Sequence, residues 1–528
     1  MKAEFDVKVP PRLTTLLRVL FVSYPSSIKE NSKSTCCKST TNNITRLDFS
    51  ALVNIGPVTE AYFNAFNSGL SRCLTNHHMI THLILACRNS KNSLPQCTDE
   101  HLQQLGKYCQ ALIYLDISFI RGLTGEGLRS LIPSVHENVG SEKGKELASI
   151  GSSGCPNLST LYIFDCGFFD KDVAAVAASL SNLEYLGYKE TGKVIKHLYK
   201  NILAKAHKIA SLDDVNKEVR CEDVPESNLG LKSKGLKKLT HLNNLGSKTR
   251  RLIAAGLRFK KPLIEAAMNV CPNVQHIKVR VTDPDVENLS SLCNLKTVEF
   301  MYNVGTIHSP GIGTASFLQV RGAMLTSVAF ICSSVSLITL KTVGENCPNI
   351  TEFWCRSNFF TISSAGYQNT EEGTTLPPPE FPEQHKYFQK LKTLYFRVGE
   401  GELSIVFLPC YVLPYILRNA SELKELIVAV RSSTINHRNV IKLVQDCRLS
   451  KLEKLLIVVP GINSLPNILN LNMNTVYFII DYCPQLKKLG NLLSWTLEED
   501  SVLLKDFLEE ISECNFHIEI LNKKMVMR

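Results

Sequence analysis

The sequence predicts an α/β repeat fold in which short helices and short strands alternate and stack into a curved solenoid. Three observations predict it. One apolar frame recurs along most of the 528 residues, each copy changes from helical to strand periodicity, and successive strand anchors lie about 30 residues apart. A single unit cannot bury its apolar face alone, so the copies must stack. We expect a parallel sheet on the concave side and helices on the convex side.

The recurring frame often begins with a cysteine, and large apolar residues follow it three and six positions later. In several copies the cysteine is followed by Pro-Asn, which ends a helix and opens a turn. The next apolar residue then starts the strand. We therefore interpret the cysteine as a small, buried structural residue at the end of the helix. The five structural repeat cysteines are Cys109, Cys155, Cys271, Cys347 and Cys483.

The segment 99–118 shows how one unit is built. Thr98 is a good N-cap, and Leu102 and Leu105 follow at helical spacing. Leu115 and Ile117 then alternate with polar residues, which is the period of a strand. The pattern predicts a helix, a turn and a strand within 20 residues.

The cysteine-containing frame resembles the leucine-rich repeats of the F-box/LRR proteins, within the wider ribonuclease-inhibitor-like group, over about residues 44–520. The resemblance implies a protein-interaction scaffold, most specifically a substrate-recognition subunit of a cullin-RING ubiquitin ligase that takes part in protein degradation. The alternative is a ligase-independent binding or inhibitor scaffold of the ribonuclease-inhibitor-like type. Residues 1–43 contain no recognisable complete F-box. They form either a docking helix for a cullin-ligase adaptor or a cap for the first repeat.

The expected organisation is an N-terminal tract at 1–43, a repeat array at 44–521 and a tail at 522–528. The tract holds a short helix followed by a disordered polar stretch. Three insertions interrupt the array near residues 133–154, 189–238 and 364–386.

Basic residues are concentrated in one part of the chain. The net charge is +10, and residues 187–261 alone hold 18 Lys and Arg against 7 Asp and Glu. This segment is either a solvated insertion or a surface for an acidic partner. In the second case the contact residues are Arg250, Arg251, Lys260 and Lys261.

Catalytic motifs are missing from the sequence, which has no GxxxxGK[ST], GxSxG or HExxH pattern. We therefore expect no enzyme activity, no cofactor and no metal site.

The basic segment has no aromatic readout motif, so a nucleic-acid partner is not expected. The uncharged stretch 322–340 contains six Ser or Thr, which favours a globular interior over a membrane span. The polar N-terminus and cysteines without CxxC pairs favour the cytoplasm, with the nucleus as the alternative.

Residues that alternate with the strand anchors face outward and are the candidate contacts for a protein client on the concave face. The partner-binding candidates on strands are Tyr114, Tyr162, Arg280, Trp354, Arg356 and Arg397. The same alternation predicts outward positions for Asp116, Phe164, Lys278 and Tyr395.

Overall fold

The structure is a computed structural model. It describes residues 45–49, 60–86, 97–133, 154–213, 236, 238–243, 260–302, 309–361, 387–398, 412–429, 435–458, 469, 471–490, 492, 495, 506, 509 and 519–521. The tract 1–43, the tail 522–528, Arg250, Arg251, the third insertion and most of the first lie outside these residues. The chain divides into two compact units. Unit 1 comprises 1–250 and 265–273, and unit 2 comprises 251–264 and 274–528.

Unit 1 contains short parallel strands that pair in chain order. The strands are β1 (Arg46–Asp48), β2 (His82–Ile84), β3 (Tyr114–Asp116), β4 (Thr160–Tyr162), β5 (Tyr185–Gly187) and β6 (His241–Asn243). The helices between them are α1 (Glu60–Asn76), α2 (Asp99–Tyr108), α3 (Gly125–Arg129), α4 (Asp170–Ser179) and α5 (Thr191–Asp213). The anchors Leu83, Leu115, Leu161 and Leu186 lie side by side in register and are buried.

Unit 2 repeats this arrangement with mostly longer strands, again parallel and in chain order. The strands are β7 (His276–Val281), β8 (Thr297–Tyr302), β9 (Ser327–Ser336), β10 (Glu352–Thr361), β11 (Thr393–Val398), β12 (Glu425–Ala429), β13 (Lys454–Val458), β14 (Lys488–Gly490) and β15 (Glu519–Leu521). Helix α6 (Lys261–Val270) contributes residues to both units. The remaining helices are α7 (Asp283–Glu287), α8 (Ile312–Arg321), α9 (Leu337–Asn346), α10 (Leu413–Leu417), α11 (His437–Cys447) and α12 (Met473–Tyr482).

Four of the five repeat cysteines lie at the turn from a helix to a strand, whereas Cys155 lies at the turn into β4 and its N–H donates to the Leu131 carbonyl at 2.9 Å. Cys109, Cys347 and Cys483 each follow the last residue of a helix, and each backbone N–H donates to the carbonyl four residues earlier at 2.9 Å. Cys271 makes the same bond to Ala267 at 2.8 Å. The cysteine carbonyl then accepts the N–H of the apolar residue three positions later, for example Leu112 at 3.1 Å. All five side chains are buried.

Helices and strands share one apolar layer within a repeat, as α11 illustrates. Its apolar residues Val440, Leu443 and Val444 recur at helical spacing and are buried. They line one small cavity together with the strand anchors Leu426 and Leu455. The anchors therefore face the helix, and the residues that alternate with them face away from it.

The second predicted insertion begins as a regular helix and not as a loop. Residues 191–213 form α5, and Val194, Ile195 and Leu198 on it are buried. Because this stretch is rich in lysine, its composition suggested a solvated insertion, although one face of the helix is apolar. Within the part of the chain that the structure describes, no helix is both long enough and apolar enough to span a bilayer.

Candidate interaction surface

Unit 1 carries a continuous row of aromatic rings on the outward side of its strands. His82 stacks on Tyr114 with ring centroids 5.7 Å apart, and Tyr114 lies 5.5 Å from Tyr162. Tyr162 lies 4.7 Å from Tyr185, which lies 5.2 Å from His241. These five residues are called the aromatic row, and each is partly exposed. The structure thus brings together Tyr114 and Tyr162, which the sequence predicted separately.

A glycine creates the space for the centre of the aromatic row. Gly187 on β5 is the register partner of Tyr162 on β4. A Cβ at Gly187 would lie 2.6 Å from a ring carbon of Tyr162 and 3.0 Å from a ring carbon of Phe164. No such approach is tolerated without movement, so the missing side chain allows the Tyr162 ring to lean over β5 and contact Tyr185.

Each ring of the aromatic row packs against its neighbour. Burial, followed by the neighbouring Tyr185, raises the pKa of the Tyr162 phenol well above its usual range, so it stays neutral at physiological pH. The prediction of solvent-exposed positions was wrong for Asp116, Phe164 and Tyr395, because these residues are only 2%, 9% and 8% exposed. Asp116 accepts the Ser118 N–H at 3.0 Å, so this carboxylate is a buried acceptor.

Unit 2 places an aromatic pair on two adjacent strands. Trp354 on β10 and Tyr395 on β11 are register partners, and their rings stack with centroids 4.7 Å apart and planes 22° apart. Trp354 is 38% exposed. The same outward row continues into Ile427 and Leu456, which cluster with Tyr395 and are buried. An exposed ring therefore lies at the edge of a buried apolar row.

Two arginines lie beside this stack on the same two strands. Arg356 on β10 and Arg397 on β11 are also register partners, two positions after Trp354 and Tyr395. Both are partly buried. Burial, and secondarily the charge of Arg397, lowers the pKa of the Arg356 guanidinium. Among the residues described by the structure, no carboxylate lies within ion-pair distance of either arginine.

Other predicted contact residues lie elsewhere. Arg280 occupies the same outward register row as Arg356, but Met301 and Ile331 on the two intervening strands separate them. Lys260 and Lys261 are exposed at the start of α6 and are not on a strand. Lys260 and Lys261 are therefore not on the strand face that carries Arg356 and Arg397.

The five repeat cysteines are buried thiols. Burial raises the pKa of each of the five repeat thiols to about 12, so they stay protonated at physiological pH. Searched over the described residues, the chain has no group of three or more His, Cys, Asp or Glu side chains that could hold a metal ion.

Sequence reasoning missed three of the five residues of the aromatic row. His82, Tyr185 and His241 each come directly before a strand anchor leucine, as Tyr114 does before Leu115. This recurrence is visible in the sequence as a position within the repeat. Which of these rings contact one another depends on the register of the strands, which the sequence does not show.

No protein-family model matches the chain, and no curated protein matches it. Among solved structures it is similar to an internalin (inlF) from Listeria monocytogenes str. 4b F2365, at 12% sequence identity and a TM-score of 0.29. The similarity covers 79% of this chain and 89% of the internalin chain. The repeat geometry itself, with parallel strands in chain order each entered through the same turn, confirms an α/β leucine-rich-repeat fold in each unit.

Proposed function

We propose that this protein is a non-enzymatic scaffold that binds another protein through the outward side chains of its strands. One observation supports this most directly. Neighbouring repeats bring rings and guanidinium groups from distant parts of the sequence side by side, as in Tyr114 with Tyr162 and Arg356 with Arg397. Aromatic residues and arginine are the side chains that most often dominate the binding energy of protein interfaces.

The more specific proposal is a substrate-recognition subunit of a cullin-RING ubiquitin ligase in the cytoplasm or nucleus. It is supported by the Cys-Pro-Asn-aliphatic frame, which resembles that of F-box/LRR proteins. The adaptor would dock on residues 1–43, and the client would bind the strand face. The second candidate is a ligase-independent binding or inhibitor scaffold, which the outward rings and guanidinium groups support without any adaptor.

Affinity purification from cells tests both levels of the proposal. The full chain is compared with a chain lacking residues 1–43 and with a Tyr114→Ala/Trp354→Ala face variant. We expect a cullin adaptor to co-purify with the full chain and the face variant and to be lost without residues 1–43. The client should bind the full chain and the chain lacking residues 1–43, and it should be lost from the face variant.

A matched control is Val320→Ala, which changes a 62% exposed apolar residue on helix α8. It should retain both adaptor and client. Absence of any adaptor, with the client still bound through the strand face, would reject the ligase proposal and leave the scaffold proposal. A client retained equally by the full chain and the face variant would reject recognition through these strands.

A further inference from the structure

The paired arginines of unit 2 are held close together by the backbone. Arg356 and Arg397 are register partners on parallel strands, so their Cα atoms lie about 4.8 Å apart and their side chains leave the same face of the sheet. This closeness is imposed by the fold, because the two residues are 41 positions apart in the sequence. The site therefore concentrates two positive charges at one place.

The two charges lack compensation within the described part of the chain. Both side chains are partly buried, and no described carboxylate pairs with them. Like charges directly opposite each other in a sheet are destabilising, and burial adds a desolvation cost. Lys278, on an outward position of β7, shows the usual solution, since its ammonium pairs with Glu299 at 2.6 Å on the neighbouring strand. Charged residues that lower stability and have no partner among the described residues are candidates for a functional site.

The neighbouring aromatic stack completes the site. Trp354 and Tyr395 lie two positions before the arginines on the same two strands, which separates the two rows by about 7 Å. Side chains at positions i and i+2 of an extended peptide have the same separation. An extended segment lying along β10 can therefore place one residue on the exposed Trp354 ring and another at the guanidinium groups.

We propose that Arg356 and Arg397, together with Trp354, bind an acidic segment of a partner protein. In this complex, Asp or Glu carboxylates accept hydrogen bonds from both guanidinium groups, and an apolar residue two positions earlier packs on Trp354. Charge complementarity carries the assignment, since two forks of N–H donors match two carboxylates. The inference rests on the proposed scaffold function and adds the chemistry of its partner.

Binding of short synthetic peptides to the full chain tests the inference by fluorescence anisotropy. The probe is a fluorescein-labelled peptide with a central Leu-Ser-Glu-Glu, compared with a Leu-Ser-Gln-Gln peptide and with one in which phosphoserine replaces both Glu residues. We expect the acidic peptide to bind at least tenfold more tightly than the Gln peptide. Its affinity should fall as NaCl concentration rises, because the attraction is electrostatic.

Variants of single residues locate the site. Arg356→Gln and Arg397→Gln should each weaken the acidic peptide at least tenfold, and Arg356→Lys should give an intermediate loss because it keeps the charge without the fork. The control is Arg438→Gln, an exposed arginine on helix α11, which should leave the affinity unchanged. Circular dichroism of each variant verifies that the fold is retained.

Three results would overturn the inference. They are equal affinity for the acidic and Gln peptides, unchanged affinity in the Arg356→Gln/Arg397→Gln double variant, and binding of the phosphoserine peptide alone. In each case the scaffold function still stands if the client purified with the full chain is lost from the Tyr114→Ala/Trp354→Ala variant. The failure of the inference and the failure of the proposed function are therefore separate outcomes.

Discussion

The outward faces of the two units differ in chemistry and in the repeat positions that carry it. In unit 1 the aromatic row spans several strands, and each ring contacts its neighbour. In unit 2 the Trp354–Tyr395 stack lies beside two arginines whose charges repel. The rings of unit 1 contact one another, whereas the two arginines of unit 2 have no carboxylate partner among the described residues. A like-charge pair without a described partner is therefore stronger evidence for binding than an aromatic surface whose rings pack on each other.

The largest expected effect is the loss of stability when a buried strand anchor of the inner layer is truncated, and it should be similar in the two units. Phe353 is fully buried in unit 2 and packs edge-on against Phe330, and Leu161 is buried in unit 1. Phe353→Ala should lower the free energy of unfolding by about 3–5 kcal/mol and Leu161→Ala by about 2–5 kcal/mol. Urea denaturation followed by circular dichroism measures both values. A loss below about 1 kcal/mol at either anchor would contradict the shared inner layer.

The next effect should be confined to unit 1. Gly187→Ala places a methyl group against Tyr162 and should cost about 1–3 kcal/mol through overpacking. The double variant Gly187→Ala/Tyr162→Ala should recover part of that loss, because the obstructing ring is removed. Denaturation of the two single variants and the double variant gives the coupling energy. Additive losses would show that the ring and the glycine do not depend on each other.

A smaller effect of opposite sign is expected in unit 2. Arg356→Gln should leave the free energy of unfolding unchanged or raise it by up to about 1 kcal/mol, because it removes a like-charge cross-strand pair. The gain should shrink in high salt, which screens the repulsion in the parent chain. Thermal or urea unfolding at two NaCl concentrations measures it. Clear destabilisation would indicate an internal partner for Arg356 and would remove the contrast with unit 1.

The smallest effect is a pH dependence in unit 1. The Thr98 N–H donates to His101 Nδ1 at 3.0 Å, and Nε2 lies 3.2 Å from the Asn67 carbonyl. Burial lowers the pKa of His101, against a smaller opposing effect of Glu100. The unfolded state therefore binds the proton more readily, and stability should fall as pH decreases from 7 to 6. The effect is small because one imidazole takes up only part of a proton in this window.

The variant His101→Gln tests this assignment by urea unfolding at several pH values. Glutamine at this position completes a Thr-x-x-Gln capping box, so the N-terminus of α2 stays capped at neutral pH. The variant should show a flatter dependence of stability on pH. An unchanged slope would place the pH dependence elsewhere.

Much of the fold could be predicted because its determinants are local. Thr98 starts a helix, the cysteine turn ends it, and Leu112 and Leu115 begin the strand within one short segment. Predictions failed where a neighbouring repeat decides the environment. Asp116 is at an outward position, yet it is buried, and its carboxylate accepts the backbone N–H of Ser118. The helix at 191–213 was missed because its lysines outweigh a narrow apolar face.

The candidate site depends even more on which strands are adjacent. Trp354, Arg356 and Arg397 were predicted individually, but the sequence did not reveal that they lie side by side on two adjacent strands. Tyr185 was not predicted, although it recurs at the position before an anchor leucine. Outward positions follow from period two, whereas their partners follow from register across insertions of unequal length.

From the sequence alone one can identify the buried strand anchors and, in the cysteine repeats, the end of the helix and the start of the strand, because these depend on local periodicity and turn chemistry. Only the tertiary structure decided which outward residues become neighbours. Arg356 meets its register partner Arg397 across 41 positions, and Tyr162 contacts Tyr185 across 23 because its own register partner, Gly187, has no side chain. Stacking brings equivalent positions of successive repeats to the spacing of adjacent strands, whatever length of chain lies between them.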